Sequence, residues 1–407
     1  MQNLDPKLAL YYRKAASVIK ILRFAVLLAF VLFCVYCIGF FRDNITVDNM
    51  RYVLKYINLS ATDNTPSDTS ITISTDESST FTMLHNDLAV VSNSGCELYG
   101  FSGSKLFSYD YSYTDAAFVS NGNNFLVYDT EGKELALYSS VSKVFKKTLD
   151  YDIKSADIND IGYFAVVNSE KTYRSGVIVF DVDGNEIFRW MSPDKYVMSA
   201  ALNTSGSYVA CAAISNKNGA FVTDLIIYNT STGEKMQTVT LEDTMALKIG
   251  YANNDSNIYV LTDGRFLCYD KDLKLVGAKS YNVQNARFFK EFDDCFIINQ
   301  SNNLSGSSMT LFAYDYEGRL LFEHHTDSKI TDVSYTDSTL YILTRDSLSV
   351  YDYDTTGKGL TFLAEMPVDK QYKAVKTDDY GRYILVGAKN AERGSLAALL
   401  ESQLDGE

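Results

Sequence analysis

From residue 70 onward the chain alternates short apolar runs with clusters of Asn, Asp, Ser and Gly. The runs are rich in Tyr, Phe and β-branched residues and are roughly four to eight residues long, as strands are. In the stretch 179–190, VFDVDGNEIFRW, one strand ends, a tight acidic turn follows and a second strand begins. The pattern therefore predicts an all-β domain built of hairpins.

Four later stretches repeat this plan: an apolar strand ending in an aromatic residue, then Asp or Asn, a turn and a returning strand. They are LIIYNTSTGEKMQTV (225–239), FLCYDKDLKLVGA (266–278), LFAYDYEGRLLFEH (311–324) and LSVYDYDTTGKGLTFL (348–363). With Asp181, Asn229, Asp270, Asp315 and Asp352 as markers, the intervals are 48, 41, 45 and 37 residues. Such intervals are typical of the four-stranded blades of a β-propeller.

A second marker keeps the same interval, because a short segment ahead of each hairpin fits the innermost strand of a blade. The segments are FTMLH at 81, DAAFVS at 115, SADIN at 155, SAALN at 199, LKIGYAN at 247, ARFFK at 286, TDVSY at 331 and KAVKTD at 373. The sequence therefore predicts an eight-bladed β-propeller over residues 68–400, with seven blades as the main alternative.

The last unit has three predicted strands, KAVKTD, YILVGA (383–388) and SLAALL (395–400), and lacks a fourth. SITIST (70–75) precedes the first inner strand and can supply it. Joining both ends of the domain in one blade removes exposed sheet edges. We therefore predict that the ring closes in this way.

One further stretch, FLVYDTEGKELALY (125–138), matches the hairpin locally but is out of phase. Asp129 follows its inner strand by about fourteen residues, against about twenty-six for Asp181. We interpret it as the turn between second and third strands. The Asp and Gly are thus first a hairpin device, since Asp bonds its own backbone and Gly accepts a positive φ. We interpret 179–190 likewise as one repeat unit.

The first 41 residues differ from the rest. Residues 24–41, FAVLLAFVLFCVYCIGFF, contain no charge, and Ile21 and Leu22 extend the run, so 21–41 is predicted to be a transmembrane helix. Five basic residues precede the uncharged run 24–41, which places residues 1–20 in the cytoplasm and the propeller outside the cell membrane. A cleaved signal peptide is the alternative, but the run is longer than an h-region and no small-residue cleavage site follows.

Two short segments flank the predicted propeller. Residues 42–67 are predicted to be a stalk, with a short helix or an extended linker, and residues 401–407 a C-terminal tail. The net charge is −14, and since the first 41 residues carry +4, the remainder carries −18. An acidic exterior repels phosphate backbones, so we expect no nucleic-acid partner.

Six cysteines need an account in an extracytoplasmic protein. Cys34 and Cys37 lie in the apolar run, where they act as small apolar residues. The others occupy separate strand-like runs without a C-x-x-C pair: Cys96, Cys211, Cys268 and Cys295. We expect buried free thiols, with a Cys268–Cys295 bridge as the alternative.

Few residues suggest catalysis. His85 ends an inner strand, and His324 and His325 are adjacent, so they point to opposite faces of a strand and have no zinc-like spacing. No nucleophile elbow, Walker A loop or zinc-protease helix occurs. Asp181, Asp183 and Asn185 alternate as in a calcium loop, but Gly184 interrupts the series.

Two pairs of adjacent carboxylates remain, Asp293–Asp294 and Asp378–Asp379. In a domain with so much negative charge, we expect them to be solvated loop residues and not an acid and base pair. We therefore assign no catalytic, cofactor-binding or metal-binding residue and expect no cofactor.

Asp181, Gly184 and Trp190 carry a resemblance to the repeats of the pyrroloquinoline-quinone-like propellers and their envelope relatives, in a degenerate, partly WD40-like form. More broadly, residues 68–400 resemble the single-span extracytoplasmic propeller proteins of Gram-positive bacteria, a family of unknown function. The resemblance implies fold and location. The chain departs from the quinone enzymes, because one unit alone has the Trp and their metal ligands are missing.

The sequence predicts a membrane-anchored, non-catalytic scaffold that binds a protein or a cell-envelope component at a rigid propeller face. One alternative is a sensor that binds a glycan or small ligand. Another is a quinone- or metal-dependent propeller enzyme, which would need His, Asp and Glu gathered around the central channel.

Overall fold

The structure is a computed structural model. It describes residues 19, 20, 22–24, 26–33, 70–73, 78–84, 86–100, 103–169, 172–336, 338–354, 359–368, 372–378 and 381–404. The predictions for residues 1–18, for residues 34–67 with Cys34, Cys37 and the stalk, and for His85 and Asp379 therefore lie outside the described residues.

The chain divides into two compact units, Met1–Pro66 and Ser67–Glu407. In the first unit the described residues of the apolar run are helical, and side chains such as Phe24 and Leu32 are exposed. Among the residues that the structure describes, no helix combines the length and the apolar character needed to cross a membrane.

The second unit consists of eight four-stranded antiparallel sheets, which confirms the eight-bladed propeller. Blade 1 contains β2 (Thr80–Leu84), β3 (Asp87–Ser92), β4 (Gly95–Tyr99) and β5 (Lys105–Asp110), and blade 2 contains β6 (Ala116–Ser120), β7 (Asn124–Asp129), β8 (Glu134–Ser139) and β9 (Lys143–Thr148). Blade 3 contains β10 (Asp152–Ile158), β11 (Phe164–Ser169), β12 (Ser175–Phe180) and β13 (Glu186–Ser192), and blade 4 contains β14 (Tyr196–Leu202), β15 (Tyr208–Lys217), β16 (Ala220–Asn229) and β17 (Lys235–Glu242).

Blades 5 to 8 repeat the arrangement. Blade 5 contains β18 (Ala246–Ala252), β19 (Asn257–Thr262), β20 (Arg265–Asp270) and β21 (Leu275–Ser280), and blade 6 contains β22 (Ala286–Glu291), β23 (Phe296–Ser301), β24 (Met309–Tyr314) and β25 (Leu320–Thr326). Blade 7 contains β26 (Ile330–Thr336), β27 (Thr339–Thr344), β28 (Ser347–Asp354) and β29 (Gly359–Pro367). Blade 8 contains β30 (Tyr372–Thr377), β31 (Arg382–Gly387) and β32 (Asn390–Ser395), with β1 (Ser70–Thr72) as its outermost strand. Each predicted inner strand is the first strand of a blade.

Blade 8 joins the two ends of the domain, as predicted. Ile71 of β1 pairs with Ala391 of β32, and the Ile73 N–H donates to the Lys389 carbonyl at 3.1 Å. Ile71 and Ile73 are buried between blades 8 and 1. The first strand of the domain therefore closes the ring through both hydrogen bonds and apolar packing.

The prediction that SLAALL (395–400) is a strand was wrong. The third strand of blade 8 is Asn390–Ser395, and a C-terminal helix follows over Leu396–Leu404. The Ser395 hydroxyl accepts a hydrogen bond from the Ala398 N–H at 3.2 Å, as a helix N-cap does. Leu396, Leu399 and Leu400 recur at helical spacing and pack against the core of blades 7 and 8.

The hydrophobic core lies between the blades. Each of the eight apolar clusters combines side chains of two neighbouring sheets. Second strands are covered on both faces, and β3 and β19 are buried along their whole length. This double burial explains why the sequence shows continuous apolar runs where a half-buried strand would alternate.

The inner strands of blades 3 to 8 share a β-bulge near their first residue. The extra residues are Lys154, Met198, Leu247, Arg287, Thr331 and Lys373. A bulge redirects the side chains beside it. The six bulges occur at equivalent positions of their strands. Residues at the same distance from the bulge therefore lie at the same depth along the channel in each of these blades.

Candidate functional site

The channel has two distinct ends. Every blade is a meander whose first strand is innermost, so these strands all start on one face of the propeller and end on the other. We call the first the entry face, where β10 and β26 begin at Asp152 and Ile330. The second is the exit face, where they end at Ile158 and Thr336.

A recess of about 920 Å³ opens on the exit face, with walls from the inner strands of blades 1 to 6 and the turns that follow them. Its charged lining residues are Asp157, Asp160, Asp255, Glu291, Asp293 and Lys248. Five carboxylates therefore face one amine in this recess. The arrangement concentrates negative potential where low-dielectric walls strengthen it.

Side chains tie the rim of the recess across four blades. The Asn121 amide of blade 2 donates to the Asn159 carbonyl of blade 3 at 2.7 Å. The Asn159 amide donates to the Asn203 carbonyl of blade 4 at 2.9 Å. Asp255 of blade 5 accepts from the Thr204 N–H at 2.9 Å. These bonds hold the turns of neighbouring blades together, so the rim is preorganised.

Asp157 lies deeper in the wall and is half-buried. Its Oδ2 accepts the Leu202 N–H of the next blade at 3.0 Å. Burial raises the pKa of Asp157 to about 6, while Leu202 and the positive charge of Lys248 act in the opposite direction and Glu291 raises it further. The charge of the recess therefore changes in the mildly acidic range.

Lys248 of blade 5 forms an ion pair with Glu291 of blade 6. Beneath this pair the rings of Tyr259 and Tyr316 lie 5.3 Å apart, and burial raises the pKa of both phenols. A Cβ on Gly250 would lie 2.3 Å from the Tyr259 ring, so Gly250 leaves the room that the ring occupies. The recess therefore has a charged mouth above an aromatic floor.

A second polar group lies on the inner strands of blades 6 to 8. Asp332 is buried, with its Oδ1 2.6 Å from Lys290 Nζ and its Oδ2 3.9 Å from Lys376 Nζ. Asp332 also accepts the Val375 N–H at 3.1 Å. Burial lowers the pKa of Lys376 to about 8. These contacts fasten three blades, and one carboxylate serves two amines.

The Asp181 turn is a repeat element, as the sequence predicted. Asp181 Oδ1 accepts the N–H groups of Asp183 and Asn185 at 3.0 and 2.8 Å, and Gly184 has φ +78°. Asp270 and Asp315 make equivalent bonds in the third-to-fourth turns of blades 5 and 6. Asp181 therefore uses Oδ1 to stabilise its turn.

Two markers behave differently from the others. Asp129 joins β7 to β8, the second and third strands of blade 2, which confirms that this turn is out of phase. Asp352 was wrongly taken as a turn residue, because β28 runs on to Asp354 and Asp352 pairs with Thr361. The longer hairpin of blade 7 shifts its turn by at least two residues.

The adjacent histidines point in different directions. His324 packs against Tyr351 with ring centroids 4.7 Å apart and ring planes tilted by 59°, and burial lowers the pKa of His324. His325 Nδ1 lies 3.1 Å from the Asn302 amide, and its Nε2 lies 3.4 Å from Asp327. Both belong to β25, the outermost strand of blade 6, and so lie away from the recess.

The four cysteines of the propeller are buried free thiols, as predicted, and Cys268 and Cys295 are not bridged. Burial raises the pKa of Cys96 and Cys268 to about 12, and it raises the pKa of Cys211 and Cys295 further. They therefore remain protonated and unreactive in the folded protein.

The two carboxylate pairs lie in different surroundings. Asp293 and Asp294 are exposed, and Asp293 lines the recess on the exit face. The expectation of a solvated side chain was wrong for Asp378, which is buried and accepts a hydrogen bond from Arg382 Nε at 2.6 Å; Asp379 lies outside the described residues. Within the described part of the chain, no group of three or more His, Cys, Asp or Glu side chains has the geometry of a metal site. The recess can thus attract cations electrostatically through carboxylates that come from different blades.

Most residues of the recess were not singled out from the sequence, since Asp157, Asp160, Asp255 and Glu291 lie up to 134 residues apart. A weak signal was present. Asn- and Asp-rich segments follow several inner strands, as in NDIG (159–162) and NNDS (253–256). Only the ring topology shows that these turns share one face.

Comparisons with solved structures give the same architecture. The computationally designed protein Ika8 matches with a TM-score of 0.56 at 11% identity, over 81% of this chain and 100% of that chain. The C-terminal WD40 domain of Sif2 matches with a TM-score of 0.56 at 11% identity, over 81% and 97%. These likenesses show a β-propeller fold.

Sequence comparisons identify a family but no similar curated protein. None of the curated proteins matches this chain. The model of a family of unknown function, DUF5711, matches residues 60–396, which include all eight blades.

Proposed function

The chain belongs to the DUF5711 family, and we propose that it is a non-catalytic binding scaffold whose exit-face recess holds a positively charged segment of a protein partner. The observation that carries this proposal is the lining of the recess, where five carboxylates and one amine surround about 920 Å³. A lysine or arginine side chain entering it would gain favourable charge interactions and contact with half-buried aromatic rings of the lining, those of Phe118, Tyr251 and Phe292.

The rigidity of the rim supports binding over catalysis. The hydrogen bonds that join Asn121, Asn159 and Asp255 to neighbouring blades reduce the ordering cost of binding. The described lining has no His, Ser or Cys side chain beside a base that would activate a nucleophile; its one serine is Ser120. Docking at a preformed surface accounts for the arrangement without a covalent step.

We further propose that the propeller is held outside the cell membrane by a helix over residues 21–41. The uncharged run 24–41 and the five basic residues before it support this topology. The resemblance to Gram-positive envelope propellers is consistent with it. An anchor would confine the scaffold to the membrane plane and so raise its effective concentration toward a membrane-bound partner.

The experiment is crosslinking of the full-length protein in cells, followed by mass spectrometry of proteins that co-purify from the membrane. We expect one recurrent partner whose crosslinks map to the exit face. Replacing Asp160 and Asp293 by asparagine should lower its recovery about tenfold, because two charge contacts are lost. Glu234→Gln removes a charge from an exposed turn at the periphery of blade 4 and should leave recovery unchanged.

The remaining outcomes separate the alternatives. Equal recovery with the Asp160 and Asp293 variants would exclude the recess as the docking site. If no protein partner is recovered, binding of oligosaccharides to the purified protein would favour the glycan sensor. Turnover that depends on an added quinone or metal would contradict a non-catalytic role.

A further inference from the structure

The entry face carries a second cavity, which has the opposite charge. It measures about 630 Å³ and lies where the inner strands of blades 6 and 7 begin and blade 8 adjoins them. We call it the entry-face pocket. Its charged lining residues are Arg287, Lys329 and Arg345, and no carboxylate belongs to the lining. In a domain with net charge −18, a cavity with three positive charges is a local exception.

The three cations are not neutralised by described neighbours. Within the described residues no carboxylate lies within 4.0 Å of Arg287, Lys329 or Arg345, although Lys290 and Lys376 nearby both contact Asp332. Asp327, two residues before Lys329, lies instead 3.4 Å from His325 Nε2. All three side chains are exposed, so they are available to a ligand that enters from solvent.

One bulge and two connections between strands bring the three cations together. Arg287 is the extra residue of β22, and Lys329 directly precedes the first residue of β26. Arg345 comes from the turn between β27 and β28, which returns to the same face. Three separate chain segments therefore converge on one cavity, each through a turn or bulge that is fixed by its blade.

The floor of the entry-face pocket is apolar. Met309, Ile330 and Tyr372 contribute buried side chains, and Phe288 is half-buried. A small inorganic anion would not need this floor, and an uncharged hydrocarbon would not need the cations. The volume lies in the range of small-molecule sites, roughly 300 to 1,000 Å³.

We propose that the entry-face pocket binds an amphiphilic anion, a molecule with one carboxylate, sulfonate or phosphate group and an apolar body. The anionic group meets Arg287, Lys329 and Arg345, where charge-assisted hydrogen bonds form. The apolar body packs against the half-buried ring of Phe288, above the buried side chains of Met309 and Ile330, and so leaves water. This site is independent of the recess on the opposite face, so either can be occupied alone.

The test uses 2-naphthalenesulfonate as the probe and isothermal titration calorimetry of the full-length protein in an uncharged detergent. We expect saturable binding at one site. Methanesulfonate, which has the head alone, and 2-naphthol, which lacks the anion, should each bind about tenfold more weakly or worse. The affinities of 2-naphthoate and 2-naphthyl phosphate are then compared, and the tighter of the two indicates whether the site prefers a carboxylate or a phosphate head group.

Variants assign the binding to the entry-face pocket. Arg287→Gln with Arg345→Gln should weaken 2-naphthalenesulfonate about tenfold or more, and the matched Arg→Lys pair, which keeps both charges but loses the forked donors, should weaken it less. Lys217→Gln removes one positive charge from the exposed end of β15 on the same face and should leave the affinity unchanged. Thermal unfolding of each variant verifies that the propeller is intact.

Two results would overturn the proposal. One is undiminished binding to the Arg287 and Arg345 glutamine pair, which would place the probe elsewhere. The other is binding of methanesulfonate as tight as that of 2-naphthalenesulfonate, which would mean that the apolar floor is not used. Neither result concerns partner recovery at Asp160 and Asp293, so the two proposals fail separately.

Discussion

Single residues of the inner strands serve two purposes, because they join blades and also set the charge of the channel. Asp157 receives the Leu202 N–H, Ser199 receives the Ile249 N–H and Asp332 receives the Val375 N–H. In each case a side chain of one blade accepts a backbone donor of the next. The charges in the channel are therefore partly structural, and changing them alters stability as well as binding.

Asp157→Asn tests this at one position. The pKa of Asp157 is about 6 in the folded protein against 3.8 ordinarily, so its contribution to stability is largest at low pH and is lost as pH rises through 6. Asparagine keeps an acceptor for Leu202 and removes the ionisation. We expect a Tm about 2 °C higher or more at pH 7.5 and a clearly smaller gain at pH 4.5, where the loss has only begun.

Thermal unfolding at the two pH values measures this effect. Asp160→Asn is the control, since it removes the same charge from an exposed position in the same recess. An equal gain at both pH values, or a gain shared by Asp160→Asn, would contradict the assignment to the half-buried carboxyl of Asp157.

Elements were more predictable than sites. Inner strands such as Tyr372–Thr377 and the closing strand at Ser70 were found from the sequence, because alternation of apolar runs with Asn and Asp turns reports burial directly. The segment after Ser395 was misread because a short apolar run fits both a strand and a buried helix. The recess could not be foreseen, since its carboxylates meet only through the ring.

The closing strand gives a prediction at the scale of elements. Replacing Ile71 and Ile73 by alanine removes buried side chains from the contact between blades 8 and 1. Each substitution should cost about 2–5 kcal/mol, and deleting residues 68–76 should lower the Tm further. Thr72→Ala changes an exposed residue of the same strand and is the control. An unchanged Tm in the double variant would show that β1 does not hold the ring closed.

Across the whole propeller, the two faces differ in chemistry. The exit face has a recess dominated by carboxylates, and the entry face has a cavity with three unneutralised cations. The net charge of −18 argued against a nucleic-acid partner, but it could not predict this difference between the faces. A net charge does not say where in the fold the charged residues lie. A propeller with opposite charges on its two faces attracts ligands of opposite charge to them.

The propeller is a closed ring whose cores all lie between blades, so no blade has a complete core of its own. Opening one blade exposes two clusters, and we expect the ring to unfold cooperatively. Cys96, Cys211, Cys268 and Cys295 report on this from blades 1, 4, 5 and 6, since all are buried with raised pKa values.

Thiol labelling at pH 8 and peptide mass spectrometry, with increasing denaturant, measure the opening at each cysteine. We expect the four thiols to react at one common rate, and the Ile71 and Ile73 alanine variant to raise that rate equally at all four. Cys96 lies in blade 1, beside the closing strand of blade 8. If Cys96 reacts well before Cys268, the ring first opens locally between blades 8 and 1. A common rate would instead mean that the closure stabilises distant blades as strongly as its own neighbours.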